Sequence, residues 1–168
     1  MSGLRVYGVV GWKNAGKTTL MERLVAEITG RGVSVSTVKH AHHAFDMDHE
    51  GKDSFRHRAA GAREVLVCSG ARWALLHELR GAEEPPLATL LEKLSPVDLV
   101  LVEGYKRDRH FKVEAHRPET GAPLIATGDP TVRAVASPAP LPGLATPWLP
   151  LDEPARVADF ILRETGLA

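Results

Sequence analysis

The feature that most constrains this 168-residue chain is the stretch Gly11-Trp12-Lys13-Asn14-Ala15-Gly16-Lys17-Thr18. It fits the pattern G-x-x-x-x-G-K-[ST], a loop whose backbone N–H groups surround nucleotide phosphates. Gly11 and Gly16 allow the backbone to turn tightly and to approach an anion. Lys17 can reach the β- and γ-phosphates, and the Thr18 hydroxyl can ligate Mg²⁺. The motif therefore predicts a phosphate-binding loop in which Lys17 is the candidate catalytic residue.

The segments on either side of the loop support this interpretation. Val6–Val10 is a short apolar run that predicts a buried strand. After the loop, Leu20, Leu24 and Ile28 recur every four residues, as on one face of a helix. The N-terminus of that helix adds free N–H groups and its dipole to an anion site. Strand, loop and helix thus follow in the required order, which disfavours the alternative of an ordinary glycine-rich turn.

The rest of the chain alternates between apolar runs and helical patterns. This alternation predicts an α/β fold, with a mostly parallel sheet flanked by helices. We expect an irregular connection over Ser137–Pro150, with Asp152 as a possible N-cap of the last helix. The predicted strands are Val33–Val38, Glu64–Cys68, Trp73–Leu76, Asp98–Glu103, Phe111–Ala115, Leu124–Thr127 and Val132–Ala136, and the predicted helices are 52–61, Leu87–Leu94 and Ala155–Arg163.

Length and composition limit the number of domains and the classes of function that remain. The length predicts a single nucleotide-binding domain over residues 1–168. Lys+Arg and Asp+Glu are both 21, so the basic excess of a nucleic-acid binder is missing. No apolar stretch reaches the length of a membrane span, and no charged and apolar leader precedes the first strand, so we expect a cytoplasmic protein. Cys68 lies in an apolar run and is expected in the core.

A second constellation lies at the end of the apolar run Asp98–Glu103. Phosphate-loop folds place an acid at the carboxyl end of a strand beside the loop, where it holds Mg²⁺ directly or through water. Glu103 is at that end, whereas Asp98 is at the start of the strand. We therefore predict Glu103 as the metal residue and Asp98 as a solvent-facing residue. Gly104 would let the backbone approach the γ-phosphate.

A third constellation follows the second predicted strand. Four of the eight histidines lie within Lys39–His49. The segment is open to three interpretations: a polar surface loop, a zinc site, or a loop that contacts the nucleotide or a second substrate. We favour the last, with Lys39, His40 and His42 meeting phosphate oxygens, because the ligand spacing fits no common zinc site. Asp53 either caps the next helix or supplies a second carboxylate to the metal.

Several segments together resemble the molybdopterin-guanine dinucleotide biosynthesis protein B family. The resemblance extends well from Val6 to about Arg107 and only loosely beyond. The segments that carry it are Lys39–His43, Phe45–Asp48, Gly51–Ser54, Arg58–Ala62, Arg72–Leu75 and Leu101–Lys106.

The resemblance implies a P-loop NTPase fold that binds GTP with Mg²⁺, hydrolyses it weakly and forms a homodimer. It also implies a partner protein, the molybdopterin guanylyltransferase, which couples GMP to molybdopterin. Carried over to this chain, the metal residues are Thr18 and Glu103, with Asp53 matching an acid of dethiobiotin-synthetase-like relatives. The predicted nucleotide contacts are Gly11, Trp12, Lys13, Asn14, Ala15, Gly16, Lys17, Thr18, Thr19, Lys39, His40, His42 and Gly104.

Two departures leave alternatives open. The family usually has small residues where this chain has Trp12, Lys13 and Asn14. The chain also lacks the N-K-x-D guanine reader of many GTPases, so the residues alone do not separate guanine from adenine. Asp129 could accept guanine N–H groups, or it could be a turn residue before Pro130. The rival functions are an ATP-dependent small-molecule kinase or ligase and a non-catalytic nucleotide-binding adaptor.

Overall fold

A computed structural model describes residues 4–41 and 45–168 of the chain. Over those ranges the chain forms eight strands, four α-helices and a short 3₁₀ turn at Pro118–Thr120. The strands are β1 (Val6–Val10), β2 (Val35–Lys39), β3 (Glu64–Cys68), β4 (Trp73–His77), β5 (Leu99–Glu103), β6 (Lys112–Ala115), β7 (Val132–Ser137) and β8 (Trp148–Pro150). The helices are α1 (Lys17–Gly30), α2 (Asp53–Ala59), α3 (Leu87–Leu91) and α4 (Pro154–Glu164).

The described residues divide into two compact units. The first belongs to Met1–His40 and Leu90–Ala168, and the second to Ala41–Thr89. The single domain expected over residues 1–168 stays a prediction.

The first unit is built on a six-stranded sheet with the order β2-β5-β1-β6-β7-β8, in which every neighbouring pair is parallel. The predicted α/β class with a mostly parallel sheet is therefore confirmed. In the register of the central strands, Val9 lies opposite Glu103, and Glu103 lies opposite Lys39. The carboxyl ends of β1, β5 and β2 thus meet at one edge of the sheet, where ligands bind in folds of this kind.

The main core lies between the sheet and the two long helices. Leu20, Leu24 and Ile28 of α1 are buried, as their spacing predicts. They pack in one cluster with Val9 of β1 and Ile161 of α4. Burying each large aliphatic side chain contributes about 1.5–3 kcal/mol, so this face fixes α1, and with it the end of the phosphate loop.

The opposite face of the sheet is covered by loops and contains two buried charges from β6. The Lys112 ammonium donates to the Asp108 carbonyl at 2.6 Å and to Thr131 Oγ1 at 2.5 Å. The Glu114 carboxylate accepts the backbone N–H groups of Ile125 and Ala126 at 3.0 and 2.9 Å. Burial raises the pKa of Glu114. These side chains hold the connecting loops against the sheet with hydrogen bonds, which compensate their desolvation.

Two predicted assignments in this unit are wrong. Leu124–Thr127 is not a strand, because two of its N–H groups bond to the Glu114 carboxylate instead of a neighbouring strand. Trp148–Pro150, expected to be irregular, forms β8. A strand that contains a proline, Pro150, is tolerated there because β8 lies at the edge of the sheet.

Helix boundaries also differ from the expected ones. The N-cap of α4 is Glu153 rather than Asp152, and Pro154 occupies the first turn, where a missing N–H costs nothing. The helix expected over Leu87–Leu94 ends at Leu91. None of the helices in residues 4–41 and 45–168 is long and apolar enough to cross a membrane.

The second unit contains α2 and an antiparallel hairpin of β3 and β4. Arg58 of α2 forms ion pairs at 2.8 Å with Asp46 and with Glu78. Its side chain is thereby engaged inside this unit.

Cys68 is exposed, so its predicted place in the core is wrong. The apolar run that contains it belongs to the two-stranded hairpin rather than to the six-stranded sheet. Its face of the hairpin is exposed to solvent: Leu66, Trp73 and Leu75 are 61%, 63% and 46% exposed.

Candidate phosphate-binding site

The phosphate loop connects β1 to α1, as predicted. Gly11 has a φ of 150°, and a Cβ on it would lie 2.4 Å from the Ala115 carbonyl oxygen of the neighbouring strand β6. Gly16, with a φ of 93°, is the N-cap of α1. In the described chain that cap has no side-chain hydrogen bond, and the first turn of α1 has no acidic residue. The N–H groups of the first turn are therefore available to an anion.

Lys17 lies over the loop that precedes it. Its ammonium donates to the Trp12 carbonyl at 2.7 Å. Burial lowers the pKa of Lys17, the positive charges of Lys106 and Lys39 lower it further, and Glu103 opposes them. A bound anion would relieve this electrostatic conflict by stabilising the ammonium form.

Two further lysines, Lys39 and Lys106, lie close enough to Lys17 to lower its pKa. The Lys39 ammonium is 3.8 Å from Glu103 Oε1. The Lys106 ammonium lies 3.8 Å from the centre of the Trp12 ring, and burial lowers its pKa. The Trp12 indole N–H donates to the Pro123 carbonyl at 2.7 Å, which holds the ring in position. Cation–π contact favours this arrangement of Lys106.

Lys106 is the site residue that sequence reasoning missed. It follows the Glu103-Gly104 pair closely in sequence, but finding it would have required knowing that β5 lies next to β1. The side chain is brought toward the loop by a turn in which Tyr105 has a φ of 51°.

The two predicted metal residues of this unit are brought together. Thr18 Oγ1 is 3.5 Å from Glu103 Oε1, and Glu103 is 9% exposed. A hydroxyl and a carboxylate are oxygen donors of the kind that Mg²⁺ prefers, so the donor set fits the ion. Thr18 and Glu103 would hold the ion, which would supply positive charge to neutralise a phosphate.

Asp98 lies at the opposite end of β5, as predicted. Its Oδ2 accepts the backbone N–H of Ser34 at 2.8 Å and the Ser34 hydroxyl at 2.6 Å. These hydrogen bonds lower the pKa of Asp98. Asp98 therefore ties the start of β5 to the segment before β2.

Gly104 and His40 are packed against each other at the carboxyl edge. Gly104 has a φ of 91°, and a Cβ there would lie 3.1 Å from His40 Cβ. The His40 N–H donates to the Glu103 carbonyl at 3.0 Å, and its ring centre is 4.9 Å from that of Tyr105. His40 is thus placed next to Glu103, while His42 lies outside the described residues.

Asp53 and Asp129 have local partners. Asp53 is the first residue of α2 in the second unit, 3.8 Å from Arg56, and its metal role stays a prediction. Asp129 is a turn residue: its carboxylate accepts the Thr131 N–H at 2.9 Å and the Thr131 hydroxyl at 2.6 Å. Across residues 4–41 and 45–168, no three His, Cys, Asp or Glu side chains are grouped to hold a metal.

Comparison with known proteins shows which family the chain is similar to. The family model described as MobB, molybdopterin guanine dinucleotide synthesis protein B, matches residues 6–138. The molybdopterin-guanine dinucleotide biosynthesis adapter protein of Escherichia coli (strain K12) is 38% identical over 154 residues, covering 90% of this chain and 87% of the relative. The adapter protein of the same name from Haemophilus influenzae is 38% identical over 160 residues, covering 92% and 85%.

Solved structures extend the similarity to the C-terminal part of the chain. The crystal structure of a MobB protein homolog from Bacillus stearothermophilus has a TM-score of 0.73 at 32% identity, covering 97% of this chain and 99% of the other. That of Bacillus subtilis MobB has a TM-score of 0.76 at 26% identity, covering 96% and 98%. The similarity to these structures therefore also includes residues beyond the 6–138 that the family model matches.

Proposed function

The chain belongs to the molybdopterin guanine dinucleotide synthesis protein B family, and from this premise we propose that it is an adapter protein that binds GTP with Mg²⁺. In this proposal it assists a partner, the molybdopterin guanylyltransferase, in joining GMP to molybdopterin during molybdenum cofactor biosynthesis. The P-loop NTPase fold supplies the nucleotide site.

One observation carries the proposal: cations at the phosphate loop outnumber the carboxylate that faces them. The ammonium groups of Lys39 and Lys106 lower the pKa of Lys17, and Glu103 opposes them; Glu114 opposes the lowering of the Lys106 pKa. The free N-terminus of α1 adds further positive potential. Such a site is electrostatically complementary to a triphosphate with its metal.

We expect hydrolysis to be slow. Lys17, the metal and the backbone N–H groups of the loop would stabilise phosphate charge. Within the described residues, the carboxylate in contact with Thr18 is Glu103, and it is assigned to the metal. It is therefore not assigned to positioning the water that attacks the terminal phosphate. The bound nucleotide would then mainly determine the conformation in which the adapter binds its partner.

We also propose that the protein is a cytoplasmic homodimer. The exposed apolar face of the hairpin, formed by Leu66, Trp73 and Leu75, supports a second copy of the chain as its partner. A two-stranded hairpin is marginally stable by itself, so covering this face would stabilise it.

Reconstitution tests the proposed function. Purified guanylyltransferase is mixed with molybdopterin and Mg–GTP, and product formation is followed with and without this protein. We expect stimulation by the wild type and none by Lys17→Ala, with Asp98→Asn as a control that retains it. Phosphate transfer to a small acceptor in the absence of guanylyltransferase would instead support a kinase or ligase.

A further inference from the structure

A shallow depression opens beside the phosphate loop and the first turns of α1. We call it the Arg117–Asp152 depression. Its lining includes Gly16, Thr19, Arg23, Arg117, Leu151 and Asp152. It shares Gly16 with the loop and Thr19 with the first turn of α1, whereas Lys17, Lys39, Lys106 and Glu103 do not line it. The depression itself is small, about 20 Å³, so a nucleotide with its terminal phosphates at Lys17 and Glu103 would place its nucleoside over it rather than inside it.

The Arg117 guanidinium lies at the N-terminus of α1. Its Nε and Nη2 are 3.4 and 3.9 Å from the point where a Cβ on Gly16 would be. Its ion-pair partner Glu119 is 3.6 Å away and 64% exposed, so this pair is weak. A cation at the positive end of a helix is unfavourable. An anion between Arg117 and the free N–H groups of α1 would remove the conflict.

The Asp152 carboxylate is free for a ligand. Asp152 is exposed, and Glu153 rather than Asp152 is the N-cap of α4. Over the described ranges, no hydrogen bond or ion pair engages its side chain, although its neighbour Leu151 is buried and fixed by a backbone bond to Ser137 at 3.1 Å. A carboxylate only accepts hydrogen bonds. Guanine presents two adjacent donors, N1–H and the 2-amino group, whereas adenine presents an acceptor at N1.

We propose that the nucleoside lies over the Arg117–Asp152 depression, with Arg117 on the phosphate nearest the ribose and Asp152 selecting guanine. The inference rests on the proposed nucleotide function and adds the residues that choose the base. Asp129, the other acid considered for this role, is bonded to Thr131 and Lys112. Adenine would place its N1 lone pair against the carboxylate, which is repulsive.

Calorimetry with base analogues tests this selection. The Mg²⁺ complexes of GDP, xanthosine diphosphate (XDP), ADP and tripolyphosphate are each titrated into the protein. Their dissociation constants are measured for the wild type, Asp152→Asn and Glu153→Gln. A bidentate contact to a base discriminates by about 1–3 kcal/mol, or about 5- to 150-fold. We expect Asp152→Asn to lose that factor for GDP and to gain affinity for XDP, because an amide matches the xanthine 2-oxo group. Glu153→Gln should bind like the wild type.

The outcomes separate the two proposals. If the wild type binds neither tripolyphosphate nor GDP, the nucleotide function fails, and the inference fails with it. If it binds both, but the GDP-to-XDP preference is the same in Asp152→Asn, the inference alone is overturned. Equal affinity of the wild type for ADP and GDP would overturn it without any variant. Tripolyphosphate binding should be unchanged by Asp152→Asn, since that probe lacks a base.

Discussion

Glu103 is the residue at which two strands and the phosphate loop converge. It ends β5, lies in register with Lys39 of β2 and Val9 of β1, and contacts Thr18. The same carboxylate also opposes the positive charge of Lys17. Its side chain therefore contacts both the hydroxyl proposed to hold the metal and the ammonium group of Lys39.

The metal role of Glu103 predicts a specific loss on its replacement. Glu103→Gln keeps the size of the side chain but removes the charge that holds a hard cation. We expect the Mg²⁺ concentration needed for half-maximal nucleotide binding to rise at least about tenfold, a change of 1.4 kcal/mol. A Mg²⁺ titration at fixed nucleotide measures this value.

Asp98→Asn is the matched control at the other end of the same strand. We expect it to lower the unfolding midpoint, because Asp98 accepts two hydrogen bonds from Ser34. Its Mg²⁺ dependence should be that of the wild type. Equal shifts in Mg²⁺ dependence for both variants would remove Glu103 from the metal site.

The lowered pKa of Lys17 predicts how nucleotide affinity depends on pH. Burial and the nearby charges of Lys106 and Lys39 lower the pKa in the free protein, and a bound phosphate would raise it. Affinity should therefore be constant below the free-state pKa and fall by up to about tenfold per pH unit above it, until the bound-state pKa is reached.

Binding measured from pH 7 into the alkaline range tests this direction. Lys17→Arg is the control, because a guanidinium stays protonated throughout. Lys106 also has a lowered pKa and would add to the fall, so the difference between wild type and Lys17→Arg is the relevant quantity. An affinity that rises with pH in the wild type would contradict the assignment.

Sequence reasoning could place Lys17, Thr18 and Glu103 because a motif and a strand end identify them without any knowledge of sheet order. It could not place Lys106 or Arg117. Each depends on which strands are neighbours and on a turn after the strand, such as the one with Tyr105 at a φ of 51°. These features are set by tertiary packing rather than by local pattern.

At the scale of elements, the two loop glycines predict different consequences of adding a methyl group. A Cβ on Gly11 would lie 2.4 Å from a backbone carbonyl of β6, which cannot move without distorting the sheet. A Cβ on Gly16 would lie 3.4 Å from the flexible Arg117 side chain. Both substitutions also carry the strain of a positive φ, on the order of 1–3 kcal/mol.

We therefore expect Gly11→Ala to lower the free energy of unfolding by more than Gly16→Ala does, by about 2 kcal/mol or more, the range of large packing effects. Urea denaturation without nucleotide measures both values against the wild type. A Gly11→Ala variant as stable as Gly16→Ala would show that the loop does not pack on β6 as described.

The elements themselves were predictable to different degrees. β1 and β5 are continuous apolar runs because both of their faces are buried, so their pattern is unambiguous. The run that contains Cys68 has the same composition but lies in an exposed hairpin, which composition alone does not distinguish. Leu124–Thr127 is apolar because it packs near Val10 and Val135 as a loop held by Glu114.

At the scale of the whole molecule, the exposed hairpin face predicts an oligomeric state. Leu75 lies opposite Leu66, and Trp73 opposite Cys68, on the same exposed face. Leu75→Lys would put a charge in the proposed interface, where desolvation is costly. We expect the wild type to be a dimer by light scattering and Leu75→Lys to shift toward monomer at micromolar concentration.

Val67→Lys is the control, because Val67 is 45% exposed but lies on the other face of the same hairpin. It should leave the dimer intact. A wild type that is monomeric at all concentrations, or equal dissociation by both variants, would exclude this face as the dimer interface.

The central claim, that the chain binds a magnesium nucleotide through its phosphate loop, is tested most directly by titrating Mg–GTP into the protein in a calorimeter. We predict one site per chain in the wild type and no measurable binding by Lys17→Ala. At a nucleotide concentration 100-fold above its dissociation constant, the wild type should gain about 2.7 kcal/mol of stability. Absence of binding by a folded wild type, or equal affinity in the Lys17→Ala variant, would contradict the account.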